Sequence, residues 1–269
     1  MYPALLLLPS SIMPQSLSFF QMGALVIIAL IAGIGITAIG PGGVLLTIAL
    51  FILTDLSPAG VAGTAIVTHI ATGIAGTLAY VRSGQLRHLP TRRLATTLAI
   101  STVIGAPIGV FVNSRISTEQ FGILLAIFVM AMGSLVLLRE FRGMPAGTKA
   151  DRPAPGRAMQ VISGFGIALV SVVFGLGGPM IAVPVLVIAG IPMLAALAAA
   201  QAQSVVLSIT GAGGYLSQGA IDWPLALLTG IPEVIGVWLG WRIAHAVPRR
   251  PLTIILGCAL IVLGPIVAF

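Results

Sequence analysis

Eight apolar stretches run along the chain, at about 19–53, 61–81, 94–112, 120–138, 158–189, 195–217, 223–243 and 251–268. None alternates polar and apolar residues with period two, so they predict membrane-crossing helices and not the strands of a barrel. Two of them are too long for one crossing. As a single helix the first would measure roughly 50 Å, against a hydrocarbon core of about 30 Å. Each long stretch is interrupted near its middle, by Gly40-Pro41-Gly42-Gly43 and by Gly175-Leu176-Gly177-Gly178. Irregular backbone at membrane depth is tolerated only inside protein or beside a water-filled cavity. The pattern therefore predicts two half-helices joined at a break, each pair a helical hairpin that re-emerges on its own side, followed by three crossings.

Composition removes the soluble alternatives. Of 269 residues, 58% are hydrophobic and 7% charged, against roughly a quarter charged in soluble domains. So few polar groups could not cover a water-exposed surface of this size. The leucines after Met1 lack a basic region before them, so no cleaved signal peptide is expected. Residues 1–18 read as an N-terminal extension, 19–142 as a first transmembrane repeat, 143–156 as a cytoplasmic linker rich in Gly and Pro, and 157–269 as a second repeat.

The two sides of that linker match in order. Gly40–Gly43, Tyr80 and Gly84 recur as Gly175–Gly178, Tyr215 and Gly219, all at one shared offset. Leu89-Pro90 recurs as Trp223-Pro224. Gly105, Gly109 and Gly133 recur as Gly236, Gly240 and Gly264, at a second and slightly shorter offset. A constant order at a nearly constant offset is the mark of duplication. The GxxxG pairs are read as packing positions.

The net charge of +7 would suggest nucleic acid if position were ignored. Twelve of the thirteen basic residues fall in three short stretches, 82–93, 139–157 and 242–250, as cytoplasmic loops facing anionic lipid require. Nucleic acid is therefore not an expected partner, whereas membrane lipids are. The loop after the second stretch is basic only in the first half; the loop after the third is strongly basic only in the second. If basic loops are cytoplasmic, equivalent loops lie on opposite sides and the repeats are inverted. The competing arrangement is eight plain crossings with parallel halves.

Polar residues inside the stretches are few. Glu233 stands at the centre of 223–243, where a carboxylate costs about 2.5–3.5 kcal/mol on an insertion scale, so it is a candidate for proton coupling. His69 lies inside 61–81, and its counterpart in the second half is Gln203 or Ser204. Thr64, Thr68 and Thr72 share one helical face with it and read as interhelical hydrogen-bonding groups. The half-helices after the breaks start near Gly42–Val44 and Gly178–Met180, and two converging helix N-termini would receive an anion without a buried Arg. Pro179 withdraws one N–H from that cradle. The candidate substrate site is thus Gly42, Gly43, His69, Gly178, Gln203 and Ser204. HExxH, CxxC, Walker A and nucleophile-elbow patterns are missing, and the single cysteine, Cys258, sits in an apolar run. No catalytic, metal or cofactor site is expected, and the chain is not read as an enzyme.

Gly175-Leu176-Gly177-Gly178 with Val183-Pro184, the copy at Gly40–Gly43, Pro58-x-x-x-x-Gly63-Thr64 and Tyr80-x-x-x-Gly84 together resemble the TauE/SafE sulfite-exporter family of bacterial permeases, from about Gly23 to the end. The resemblance implies secondary movement of sulfite, sulfonates or related sulfur-containing organic anions across the inner membrane. The expectation is an all-α, polytopic membrane protein with two inverted repeats, exporting a small anion, with homo-oligomerisation left open. The alternatives are a channel-like anion pathway and a membrane-embedded enzyme acting on lipid.

Overall fold

The computed structural model describes residues 17–141, 156–246 and 249–268. The linker at 143–155 and all but the last two residues of the N-terminal extension lie outside these. Ten α-helices follow one another, with no strand among the described residues: α1 (Phe19–Ala38), α2 (Val44–Leu53), α3 (Pro58–Arg82), α4 (Leu89–Asn113), α5 (Thr118–Phe141), α6 (Arg157–Phe174), α7 (Pro179–Ile188), α8 (Met193–Ser217), α9 (Trp223–Ala246) and α10 (Arg249–Ala268). Eight are long and apolar enough to cross a membrane, α2 and α7 being the short exceptions. The protein is an all-helical, polytopic membrane protein.

Both long stretches break where the glycines predict, but unequally. The arm before the break has 20 residues in α1 and 18 in α6. The arm after it has 10 in α2 and 10 in α7. Gly40 (φ 112°) and Gly175 (φ 68°) turn the chain at matching places in the left-handed region, which glycine enters without steric cost. The remaining arm then folds back. Gly42 lies against the backbone of Ala32, Gly35 and Ile36, and at the open end Gln21 Nε2 donates to Leu53 O at 3.1 Å. The start of α1 is fixed by a capping box, Gln21 N donating to Ser18 Oγ and Ser18 N to Gln21 Oε1.

Packing is exchanged between the halves. α1 packs along α9, and α6 packs along α4. In the first pair Gly236 meets Leu30 O and Gly240 meets Ile34 O; in the second Gly105 meets Phe165 O and Gly109 meets Leu169 O. These four contacts are the same two contacts, displaced by the repeat offsets read from the sequence. The GxxxG pairs do what packing requires of them: without a Cβ, one backbone can lie directly on another. Equivalent helices also pair with each other. On α5 and α10, Gly133 faces Gly257 O and Ile261 while Gly264 faces Met130 and Ala126 O, so the two run antiparallel. On α3 and α8, Gly63 faces Tyr215 and Gly76 faces Gln201, again antiparallel.

The described arginines other than Arg115 gather at one end. Arg93 and Arg157 line one surface cleft there, and Arg139 and Arg250 line another, next to Met193 at the start of α8. Arg250 Nε reaches Glu140 Oε1 at 3.6 Å, an exposed pair worth little to stability.

Gly236→Val pushes a side chain into the α1 backbone at Leu30 O; overpacking of this kind costs about 1–3 kcal/mol. Thermal unfolding in detergent should drop by several degrees. Gly213, with open space around its Cα, should tolerate alanine with unchanged or slightly raised stability. Equal behaviour of the two variants would refute the packing role.

Candidate functional site

The two breaks meet beside the middle of α3. A Cβ at Gly43 would stand 3.0 Å from His69 Cε1 and 3.2 Å from Nε2; a Cβ at Gly177 would stand 3.5 Å from Cδ2. The imidazole of His69 therefore lies between the backbones of both breaks, tightly against Gly43 and in ordinary contact with Gly177. Gly40 lies 3.6 Å from Pro179 O and from Val183 by the same construction, and Thr47 Oγ1 donates to Gly175 O at 3.4 Å. The hairpins thus touch each other directly.

Glu233 approaches from α9. Its Oε1 lies 3.4 Å from His69 Nδ1, and its Oε2 accepts from Thr68 Oγ1 at 2.6 Å. His69 and Glu233 are fully buried, and Thr68 nearly so. His69 Nε2 and Glu233 Oε1 make no hydrogen bond among the described residues. Buried polar atoms are nearly always paired, and His69 with Glu233 places several such atoms together beside the two broken helices. Pro232 within α9 frees a backbone carbonyl one turn earlier, and Gly33 of α1 lies against Glu233 O.

Ser204 occupies in the second half the place of His69 in the first. Ser204 Oγ accepts from Gly178 N at 3.2 Å, and the first repeat offset carries Gly43 to Gly178 and His69 to Ser204. Of Gln203 and Ser204, it is Ser204 whose side chain meets the second break. The Gly178 amide thus already has a partner. Gln203 is the counterpart of Thr68, and its Nε2 donates to Thr102 Oγ1 at 3.1 Å and to Gly164 O at 3.3 Å. Thr102 in turn is the counterpart of Glu233, at the shorter offset that relates Gly105 to Gly236. Thr68–Glu233 on one side and Gln203–Thr102 on the other are one contact written twice, ionisable in the first version and neutral in the second.

The expected site residues therefore divide. Gly43, His69, Gly178, Ser204 and Glu233 converge on the breaks. Gly42 is turned to α1 as a packing residue, and Gln203 is turned to α4 and α6. Two residues join that the sequence reading did not select, Gly177 and Thr68. Gly177 is inside the repeated motif, while Thr68 could have been found by applying the two repeat offsets to Glu233 and Gln203 together.

A bundle of eight candidate spans with two broken helices clasping a buried ionisable pair at mid-height is the architecture of a membrane transporter. The profile of the family described as sulfite exporter TauE/SafE matches residues 25–265. The chain belongs to this family. It is 26% identical to the probable membrane transporter protein YunE of Bacillus subtilis over 89% of this chain and 97% of that protein. It is 26% identical to the probable membrane transporter protein ORF9 of Sinorhizobium sp over 91% and 93%, and 22% identical to the probable membrane transporter protein YdhB of Bacillus subtilis over 84% and 91%. No solved structure matches the chain at a significant level.

Thr68→Val removes the donor to Glu233 and leaves a buried acceptor alone, a loss of about 1–3 kcal/mol. Its melting temperature should fall, and Thr68→Ser should restore most of it. If valine proves as stable as serine, the 2.6 Å contact does not hold the carboxyl.

Proposed function

We propose that the protein is a secondary transporter moving sulfite or a small sulfur-containing organic anion outward across the bacterial inner membrane. Its halves are inverted-topology repeats. What supports the inversion is that equivalent helices, α3 with α8 and α5 with α10, run antiparallel in contact, as an axis in the membrane plane demands. The gathering of arginines at one end supports placing that end in the cytoplasm.

The observation that carries the transport reading is His69, held between Gly43 and Gly177 with Glu233 at its other nitrogen. The substrate oxyanion binds at the starts of α2 and α7, where helix N-termini carry partial positive charge. His69 Nε2 and the Gly43 amide are its polar contacts, with Ser204 holding the Gly178 turn in place. An anion next to an ionised Glu233 is repelled, whereas an anion next to a protonated one is not. Binding and protonation thus favour each other, and the anion crosses together with a proton. Linkage of this kind is reciprocal.

Purified protein in proteoliposomes should exchange radiolabelled sulfite or methanesulfonate by counterflow, and net flux should respond to a pH gradient. Glu233→Gln should keep exchange but lose the response to pH. Flux indifferent both to the gradient and to this substitution would remove the proton from the mechanism. In a thermal-shift screen, sulfite, thiosulfate, sulfate and small sulfonates should raise the melting temperature by mass action. Stabilisation only by an unrelated solute would overturn the substrate class, and fast electrogenic flux without counterflow would make the protein a channel.

A further inference from the structure

At the basic end, a cleft of about 170 Å³ opens between the tip of the first hairpin and the ends of α5 and α10. Ile39 and Pro41 form its inner wall, with Val183 and Pro184 of α7 beside them. Among the described residues its lining carries three charged side chains, Arg139, Glu140 and Arg250. Glu140 is engaged by Arg250 at 3.6 Å. Arg139 is half-buried, has no ion pair among the described residues, and rests its Nη2 4.0 Å from Met193 Sδ. A half-buried guanidinium with a thioether as its neighbour keeps several donors for something else.

The repeat supplies an internal control. Moved by the repeat offsets, Ile39 becomes Phe174 and Arg250 becomes Glu119. The place corresponding to the cleft, at the other end of the bundle, is filled. Phe174 packs on Phe121 and Phe128 at centroid distances of 5.6 and 5.4 Å, and Phe51 closes on Phe121 at 5.3 Å. One end of the pseudo-symmetric pair is thus a cleft lined by Arg139 and Arg250; the other is a stack of aromatic rings, with Glu119 in the place of Arg250. Helix packing alone does not call for that difference.

We infer that the cleft is an anion-receiving vestibule, in which Arg139 draws a small oxyanion from the basic end toward the break at Gly40–Gly43. The inference rests on the proposed transport of anions and names the place where the anion first binds. The guanidinium offers paired donors to two oxygens of a sulfite, sulfonate or similar tetrahedral or pyramidal anion. Glu140 acts on both arginines, and among the described lining residues two guanidinium charges stand against that one carboxylate.

The test uses thiol chemistry, which does not depend on transport. In a Cys258→Ser background, Met193→Cys places a thiol beside Arg139. Methanethiosulfonate reagents of matched size carrying either a sulfonate or a trimethylammonium group are then compared for their rates of reaction. The sulfonate reagent should react severalfold faster, methanesulfonate should slow it, and Arg139→Gln should abolish the preference while Arg139→Lys retains part of it. Thr253→Cys, across the cleft, gives a second reporter if the first variant folds poorly. Equal rates for the two reagents, or a preference untouched by Arg139→Gln, overturn the vestibule and leave the transport reading standing. A charge preference in a protein that exchanges no sulfur anion supports the vestibule and overturns the substrate instead.

Discussion

Unpaired peptide groups cannot face lipid, and the rest of the structure is arranged around that constraint. Two breaks in helical backbone, at Gly40–Gly43 and Gly175–Gly178, need to be walled in on every side. The hairpins supply part of the wall themselves, since Thr47 donates to Gly175 O and Gly40 lies against α7. α3 and α8, the helices between them, supply the remainder, with His69 against one break and Ser204 against the other. α9 and α4 then close the outside by laying glycines on the backbones of α1 and α6. Remove the breaks and nothing would require helices to come so close; keep them, and small residues along four interfaces follow.

The matched contacts leave the site lopsided in chemistry while regular in shape. Each contact at the centre exists in two versions: His69 with Gly43 and Ser204 with Gly178, Glu233 with Thr68 and Thr102 with Gln203. The first version carries ionisable groups; the second carries hydroxyls and an amide, Gln203 donating to Thr102 and Gly178 N to Ser204. The titratable side chains thus sit in one version of the contact only, and the other is neutral throughout. The ends show the same division, an arginine-lined cleft at one and a stack of rings at the other.

Much of this was readable from residue order. Hydrophobic run lengths delimited the spans, and the spacing of Gly105, Gly109, Gly236 and Gly240 marked the close helix interfaces. Glu233 and His69 stood out because a charged or titratable group inside such runs is rare. The unequal arms of the hairpins were not readable, because an apolar run reports total length and not where depth is reached. Nor was the orientation of Gln203, since on a helix buried all round polarity alone does not say which neighbour a side chain faces. Thr68 looked like ordinary interhelical glue; its carboxylate partner is on α9, far along the chain and beyond any local pattern. The arginine-lined cleft was invisible for the same reason, being assembled from four helices and a break.

The exchange of partners between halves has a consequence for how the chain is made. α1 enters the bilayer first, yet the surface it is shaped to fit belongs to α9, the last helix but one. Until Trp223 and its followers leave the ribosome, the glycine-bearing face of α1 and the hydroxyl of Thr68 lack their final neighbours. Lipid, the insertion machinery or provisional contacts within the first half have to cover them for most of synthesis. Neither half is a finished unit at any stage. The α1–α9 packing and the Thr68–Glu233 contact can therefore form only once α9 has been made.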